Sequence, residues 1–272
     1  MHRPFLFLGI ATIGALAPLA VVRNPANPAD PHYCYTQWDD NSTIDNAPYD
    51  GRFTFFRVRF EPGGGGGFGR GFGRGRIDKK WDHDTPRAER HLMKILEEIT
   101  TLKPTMDCGV VYAFGEEGSF KYPIAYVSEP GFWTMDESEL KGLREYVKKG
   151  GFVIFDDFFD EHWYNFEERW RQAFPDLQLQ EIPRTHPLFD TFYDVRATEL
   201  FYQSNGGRRG ARAQFYGAYE DNDPEKRLVA IAGYNNDLGE YMEFSDEALV
   251  PIDLSNEAYK IVVNYLIYAM TH

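Results

Sequence analysis

Two adjacent carboxylates, Asp156 and Asp157, close the apolar run Phe152-Val153-Ile154-Phe155, and Asp160, Glu161 and His162 follow after two phenylalanines. Carboxylates and an imidazole so spaced can hold Mg²⁺, Ca²⁺ or Zn²⁺, or divide acid and base work when their surroundings split their proton affinities. They can equally order a loop, with Asp157 accepting from backbone N–H groups and its neighbours solvated. His186 stands in the turn-rich Thr185-His186-Pro187-Leu188-Phe189, where it either bonds a loop carbonyl or folds over towards Asp156. Trp81 and Asp84 fit a core anchor with a helix cap, and also a sugar-stacking ring beside a carboxylate. Ser128 and Glu129 lie in Ser128-Glu129-Pro130-Gly131, immediately after the apolar Ile124-Ala125-Tyr126-Val127. Asp237-Leu238-Gly239-Glu240 reads as a loop bordering the same crevice.

These residues need a scaffold, and the pattern supplies one. Gly109 to Tyr112, Ile124 to Val127 and Phe152 to Phe155 are short apolar runs of the kind buried on both faces of a parallel sheet. Between them, Leu92, Ile95, Leu96 and Ile99 recur at helical spacing, as do Leu140, Leu143 and Val147. Asp84 or Thr85 is expected to cap the first helix with Pro86 in its first turn, and Thr134 to Glu137 to form a capping box for the second. Arg52 to Phe60 reads as a lead strand, with Phe56, Val58 and Phe60 alternating against Arg57 and Arg59. Strand, helix, strand, helix, strand defines a doubly wound, mostly parallel α/β sheet with helices on both faces. In such a sheet ligands gather beyond the carboxyl ends of the strands, which is where Asp156 and Asp157 fall. Further on, the pattern predicts a helix around Phe166 and Trp170, strands at Leu177–Ile182, Gln214–Tyr219 and Leu228–Tyr234, and a closing helix around Ala258 to Ala269.

Acidic residues outnumber basic ones by 42 to 29, giving a formal charge of −13. That balance argues against nucleic acid and anionic lipid as partners of the whole surface. Arg3 followed by the nearly continuous apolar run Phe5 to Val22 reads as a signal peptide or an uncleaved N-terminal anchor, residues 1–22. Either way the expected location is outside the cytoplasm, periplasmic or envelope-associated, with membrane contact only through that segment if it is kept. Residues 23–51 read as a linker or lead-in, and 52–272 as one α/β domain interrupted by a Gly/Arg-rich loop at 62–76. Cys34 and Cys108 lack a C-x-x-C partner, which argues against structural zinc, and they read as two unpaired residues.

Several segments together resemble one family. They are Phe53 to Phe60, Trp81-Asp82-His83-Asp84-Thr85-Pro86-Arg87-Ala88-Glu89, Tyr122 to Tyr126, Leu143 to Phe152, Asp156-Asp157-Phe158, His186 to Phe189 with Phe192-Tyr193, and Val263 to Ala269. The set looks like the bacterial domain-of-unknown-function 4159 family over about residues 52 to 272. The resemblance implies a class I glutamine amidotransferase-like, flavodoxin-type sheet similar to trehalose-utilisation (ThuA-like) proteins, and it implies no established activity. Active amidotransferase relatives carry a glycine-flanked Cys in a tight strand-to-helix turn. The matching turn here is Ser128-Glu129-Pro130-Gly131, without a cysteine, so glutaminase chemistry is not expected. The expectation is an exported, non-catalytic module binding a small molecule or carbohydrate, or scaffolding envelope proteins. The alternative is a hydrolase of a carbohydrate or envelope substrate built on Asp156, Asp157, His162 and His186. No cofactor is called for, and a divalent metal is left open.

Overall fold

The computed structural model describes residues 46–63, 78–106, 109–199, 212–247 and 249–272. The apolar N-terminal run, both cysteines and the Gly/Arg tract from 64 to 76 lie outside the described residues. Among those described, no helix is long and apolar enough to cross a membrane.

Seven strands form one sheet: β1 (Phe56–Val58), β2 (Val110–Tyr112), β3 (Ile124–Ser128), β4 (Phe152–Phe158), β5 (Gln180–Glu181), β6 (Gln214–Tyr219) and β7 (Leu228–Tyr234). Their spatial order is β2-β1-β3-β4-β7-β6-β5. The first five in that order run parallel, and β6 and β5 add an antiparallel margin. The parallel part follows the flavodoxin-like order, whose reversal of winding falls between β1 and β3. A crevice at that reversal is where ligands bind in such sheets.

Helices cover both faces, as the apolar pattern requires. On one side α1 (Arg87–Ile99), α4 (Leu238–Glu243) and α5 (Ile252–Thr271) pack Leu92, Leu96, Met242 and Tyr265 against Tyr126 and Ile154. On the other, α2 (Glu137–Lys148) and α3 (His162–Ala173) pack Leu143, Phe166 and Trp170 against Val127 and Phe155. Period-2 alternation therefore decides which face each strand residue serves. Ile154 and Asp156 share the α1/α4/α5 face with Tyr126.

Several local expectations shift. The lead strand pairs only over Phe56–Val58, and the 177–182 run only over Gln180–Glu181. Arg57 is 2% exposed although alternation placed it outward, because β1 is central and covered on both faces. The capping box of the second helix is set two residues later than Thr134: Asp136 Oδ1 accepts from Glu139 N, and Glu139 Oε2 accepts from Asp136 N. α1 has Pro86 at its N-cap with no side-chain cap, so neither Asp84 nor Thr85 does that work. The segment read as a loop, Asp237 to Glu240, starts α4, with Asp237 accepting from Glu240 N.

Within α2, Gly142 lies against the backbone after β2. A Cβ there would sit 1.9 Å from the Phe114 carbonyl oxygen. An alanine inside a helix ordinarily gains up to about 1 kcal/mol over glycine. Here the collision dominates, and Gly142→Ala is expected to destabilise by about 1–3 kcal/mol in urea unfolding.

Candidate functional site

The site is built where β1, β3, β4 and β7 end. β4 pairs with β7 in a register that shifts between Phe155 and Phe158. In that irregular stretch Asp157 takes a left-handed backbone, φ 61°. A bulge re-aims side chains at a sheet edge, and here it falls at the two carboxylates. Five other residues of this edge are left-handed without being glycine: Lys80 (φ 63°), Asp84 (φ 63°), Glu129 (φ 46°), Asp160 (φ 45°) and Asn235 (φ 54°). Each such residue carries about 1–3 kcal/mol of strain, which the surrounding contacts must offset.

Asp156 is fully buried, and one of its oxygens, Oδ2, accepts three hydrogen bonds. Tyr126 Oη donates at 2.6 Å, Leu238 N at 2.7 Å and Gly239 N at 3.1 Å. Its role is thereby defined: it fastens the start of α4 to the sheet. Burial pushes its pKa up to about 6, against the pull of the Tyr126 hydroxyl and the two amides. Removing one donor to a charged acceptor costs about 1.5–3 kcal/mol, so Tyr126→Phe should lower the urea midpoint correspondingly at pH 7.5 and much less at pH 4.5.

Beside it lies a run of charge. Burial and then Glu129 raise the Asp157 carboxyl to about 8. Asp84 is raised well above the usual range by burial and by Asp157, and Asp237 by burial, Asp157 and Asp84. On α4, burial raises Glu240, and burial together with Glu240 raises Glu243 to about 7.

Two basic side chains face this group. Lys80 Nζ contacts Asp78 Oδ2 at 2.8 Å and Glu129 Oε2 at 3.1 Å. The His83 ring is held at both nitrogens, Nε2 by Asp78 at 2.9 Å and Nδ1 by Glu129 at 2.5 Å. Burial disfavours its imidazolium, but the bonds to Asp78 and Glu129 overcome that and lift its pKa to about 11. A third cation, Arg57, lies beneath. Its Nε meets Glu89 Oε1 at 2.7 Å, and its Nη1 donates to the Trp81 carbonyl at 3.1 Å. That bond fixes the start of the Trp81-to-Asp84 stretch.

Glu129 occupies the tight turn between β3 and a short 3₁₀ turn, Pro130–Phe132. Its left-handed φ/ψ of 46°/53° aims the side chain out of the strand end. Ser128 is fully buried opposite Asp156 in register, and its hydroxyl has no hydrogen-bond partner among the described residues. A Cβ on Gly131 would lie 2.4 Å from His162, so glycine is required for α3 to approach the turn.

Of the residues singled out from sequence, the structure gathers Asp84, Ser128, Glu129, Asp156 and Asp157 at one edge. His162 borders them, but its ring packs on Phe132 and Phe159, and burial lowers its pKa. Trp81 is a core residue of the β1 edge, 4% exposed, with its carbonyl in use; a stacking platform for sugar is not available there. His186 is elsewhere. It accepts from Leu188 N and packs on Tyr219 and Tyr268, at the end of β6 that pairs with the start of β7. That is the amino-terminal edge of the parallel strands, so His186 and Asp156 do not meet. Missed from sequence as site residues were Arg57, Lys80, His83, Asn236 and Glu243. The Asp-His-Asp run at 82–84 was the available signal for His83. A surface hollow of about 480 Å³ beside Thr185 and His272 also lies away from this edge.

The fold and this edge define a doubly wound, flavodoxin-like α/β domain with an acidic strand-end site. A family model described as Domain of unknown function (DUF4159) matches residues 71–270, and the chain belongs to that family. No curated protein matches the chain.

Proposed function

We propose that this chain is an exported, non-catalytic ligand-binding domain of the bacterial envelope, with an amidotransferase-like fold that has lost glutaminase chemistry. The observation that carries this reading is Glu129. It holds the left-handed position of a tight strand-to-helix turn, where amidotransferases place a sulfur nucleophile. Its carboxylate is committed to Lys80 and His83. A carboxylate paired with two cations recognises polar groups well and attacks carbonyls poorly. Paired acidic and basic groups at the carboxyl edge of a parallel sheet suit a small polar ligand such as a carbohydrate. Scaffolding of envelope proteins is compatible with the same site.

A thermal-shift screen over monosaccharides, oligosaccharides and peptidoglycan fragments tests the reading. A saturable shift is expected for one of these classes, and it should vanish in Glu129→Gln. Incubation with glutamine should release no ammonia. Turnover of any screened compound that is abolished in a folded Glu129→Gln or Asp157→Asn variant would overturn the non-catalytic reading. It would favour the hydrolase alternative, for which the neutral Asp157 carboxyl beside charged groups is the supporting observation.

A further inference from the structure

The acidic groups are not spread evenly along the edge. Asp84, Asp157 and Asp237 are all buried, and each places a carboxylate oxygen within 4.8 Å of the other two. They arrive from three distant parts of the chain: before α1, at the end of β4, and after β7. Two oxygens bound to one Mg²⁺, Mn²⁺ or Ca²⁺ can lie no further apart than about 4–5 Å. The separation in this trio fits a single ion. It does not fit three solvated charges, since none of the three residues is more than 6% exposed.

A second observation is independent of the carboxylates. Asn236, next to Asp237, is fully buried, and neither its Oδ1 nor its Nδ2 has a hydrogen-bond partner among the described residues. A buried amide left so is costly, by about 1–3 kcal/mol for each group. Its Nδ2 shares a small space with Asp156 Oδ1, which is also unpartnered. A Cβ on Gly233 would lie 3.5 Å from the first and 3.4 Å from the second. Asp84 Oδ2 is unpartnered as well, and Gly239 leaves the room for it, because a Cβ there would come within 2.1 Å. Unpaired polar atoms of both kinds, amide and carboxylate, thus fall on one member of the trio, Asp84, and on the chain neighbours of the other two, Asp156 and Asn236. Buried polar groups are normally satisfied, so the concentration points to a missing polar occupant.

We infer that Asp84, Asp157 and Asp237 form a divalent-cation site, with Asn236 and Asp156 completing its polar surroundings. The three ligands are carboxylates, which select Mg²⁺, Mn²⁺ or Ca²⁺ over the softer metals that prefer imidazole or thiolate. A doubly charged ion offsets the mutual repulsion of the trio and of neighbouring Glu129. The nearby cations are already held by other carboxylates, Arg57 by Glu89 and both Lys80 and His83 by Asp78 and Glu129. Glu240 and Glu243, half-buried on α4, form a further group with Asp84, on the more exposed side of the trio. The inference deepens the binding reading above and rests on it: the cation would be part of the floor on which a polar ligand sits.

The test uses the whole exported chain, stripped with chelator and then titrated with MgCl₂, MnCl₂ or CaCl₂ at constant ionic strength. Thermal melting should rise saturably with at least one of the three. Asp84→Asn and Asp237→Asn, checked by circular dichroism for an intact fold, should weaken that response at least tenfold. Mn²⁺ electron paramagnetic resonance on the unmutated protein gives a measure that needs no variant: a stoichiometric bound signal is expected. No stabilisation by millimolar amounts of any of the three ions, or an undiminished response in both variants, overturns the inference. A sugar that shifts melting in chelator, with no effect of metals, would also overturn it and would leave the binding reading standing.

Discussion

Replacing Arg57 with methionine is expected to destabilise the domain by about 3–5 kcal/mol, the usual result of removing one partner of a buried ion pair. Arg57 is 2% exposed and Glu89 4%, so the orphaned carboxylate has no water to turn to. The guanidinium also lies 5.1 Å from the Tyr126 ring centre and 5.8 Å from that of Phe55, and it holds the Trp81 carbonyl. Its loss therefore loosens the stretch that presents His83 and Asp84. In urea unfolding the single variant should show a much lower midpoint. The double variant Arg57→Met, Glu89→Met should regain most of the loss, because two apolar side chains replace a pair whose desolvation was expensive. A single-variant cost under about 1 kcal/mol would mean that the pair is not buried as described.

In the presence of chelator, stability should fall as pH rises from about 4 towards 8. Asp156 and Asp157 both have folded pKa values raised above those of an unfolded carboxyl, to about 6 and about 8. Such groups bind protons more tightly in the native state. Their contribution is fully present below about pH 4 and is lost as pH passes through the folded values. At about 1.4 kcal/mol for each tenfold change in proton affinity, Asp156 alone contributes about 3 kcal/mol to that fall. His83 acts in the same direction at higher pH: its stabilisation is complete below about 6.5 and disappears as pH passes about 11. On the acid side Asp78 opposes them. Burial works against its ionised form, but the bonds from His83 and Lys80 hold it below the usual carboxylate range, so its contribution is lost as pH falls under about 4. Urea midpoints across this range should peak in mild acid. A flat or rising profile between pH 5 and 8 would contradict the arrangement, and Asp157→Asn should flatten the alkaline limb.

The parallel core of the fold was readable because its strands are continuous apolar runs and its helices carry clear stripes. Phe152 to Phe155 could only be a strand covered on both faces, and the carboxylates after it could only lie at its carboxyl end. The antiparallel margin was less legible, since β5 is two residues long and has too little pattern to mark its limits. Arg57 was misplaced for a specific reason. Alternation signals a half-exposed strand, and nothing local reveals that β1 is central, or that Glu89 will come from α1 to neutralise the charge. His186 stayed between two readings: its turn chemistry was visible, but which edge of the sheet it reaches depends on the direction of β6. The carboxylate trio was legible only in pieces, because Asp84, Asp157 and Asp237 belong to segments that only the completed winding brings together.

That dispersal has a kinetic side. Asp84 precedes β2, Asp157 ends β4 and Asp237 follows β7, so at a pH above about 8, where Asp157 is ionised, their repulsion is first felt when the segment after β7 docks. An interaction formed after the rate-limiting step changes the unfolding rate and leaves the folding rate nearly untouched. Asp157→Asn in chelator should accordingly slow unfolding in stopped-flow measurements while refolding keeps its speed. The ligand-facing rim then shortens the native lifetime of the metal-free domain without slowing its folding.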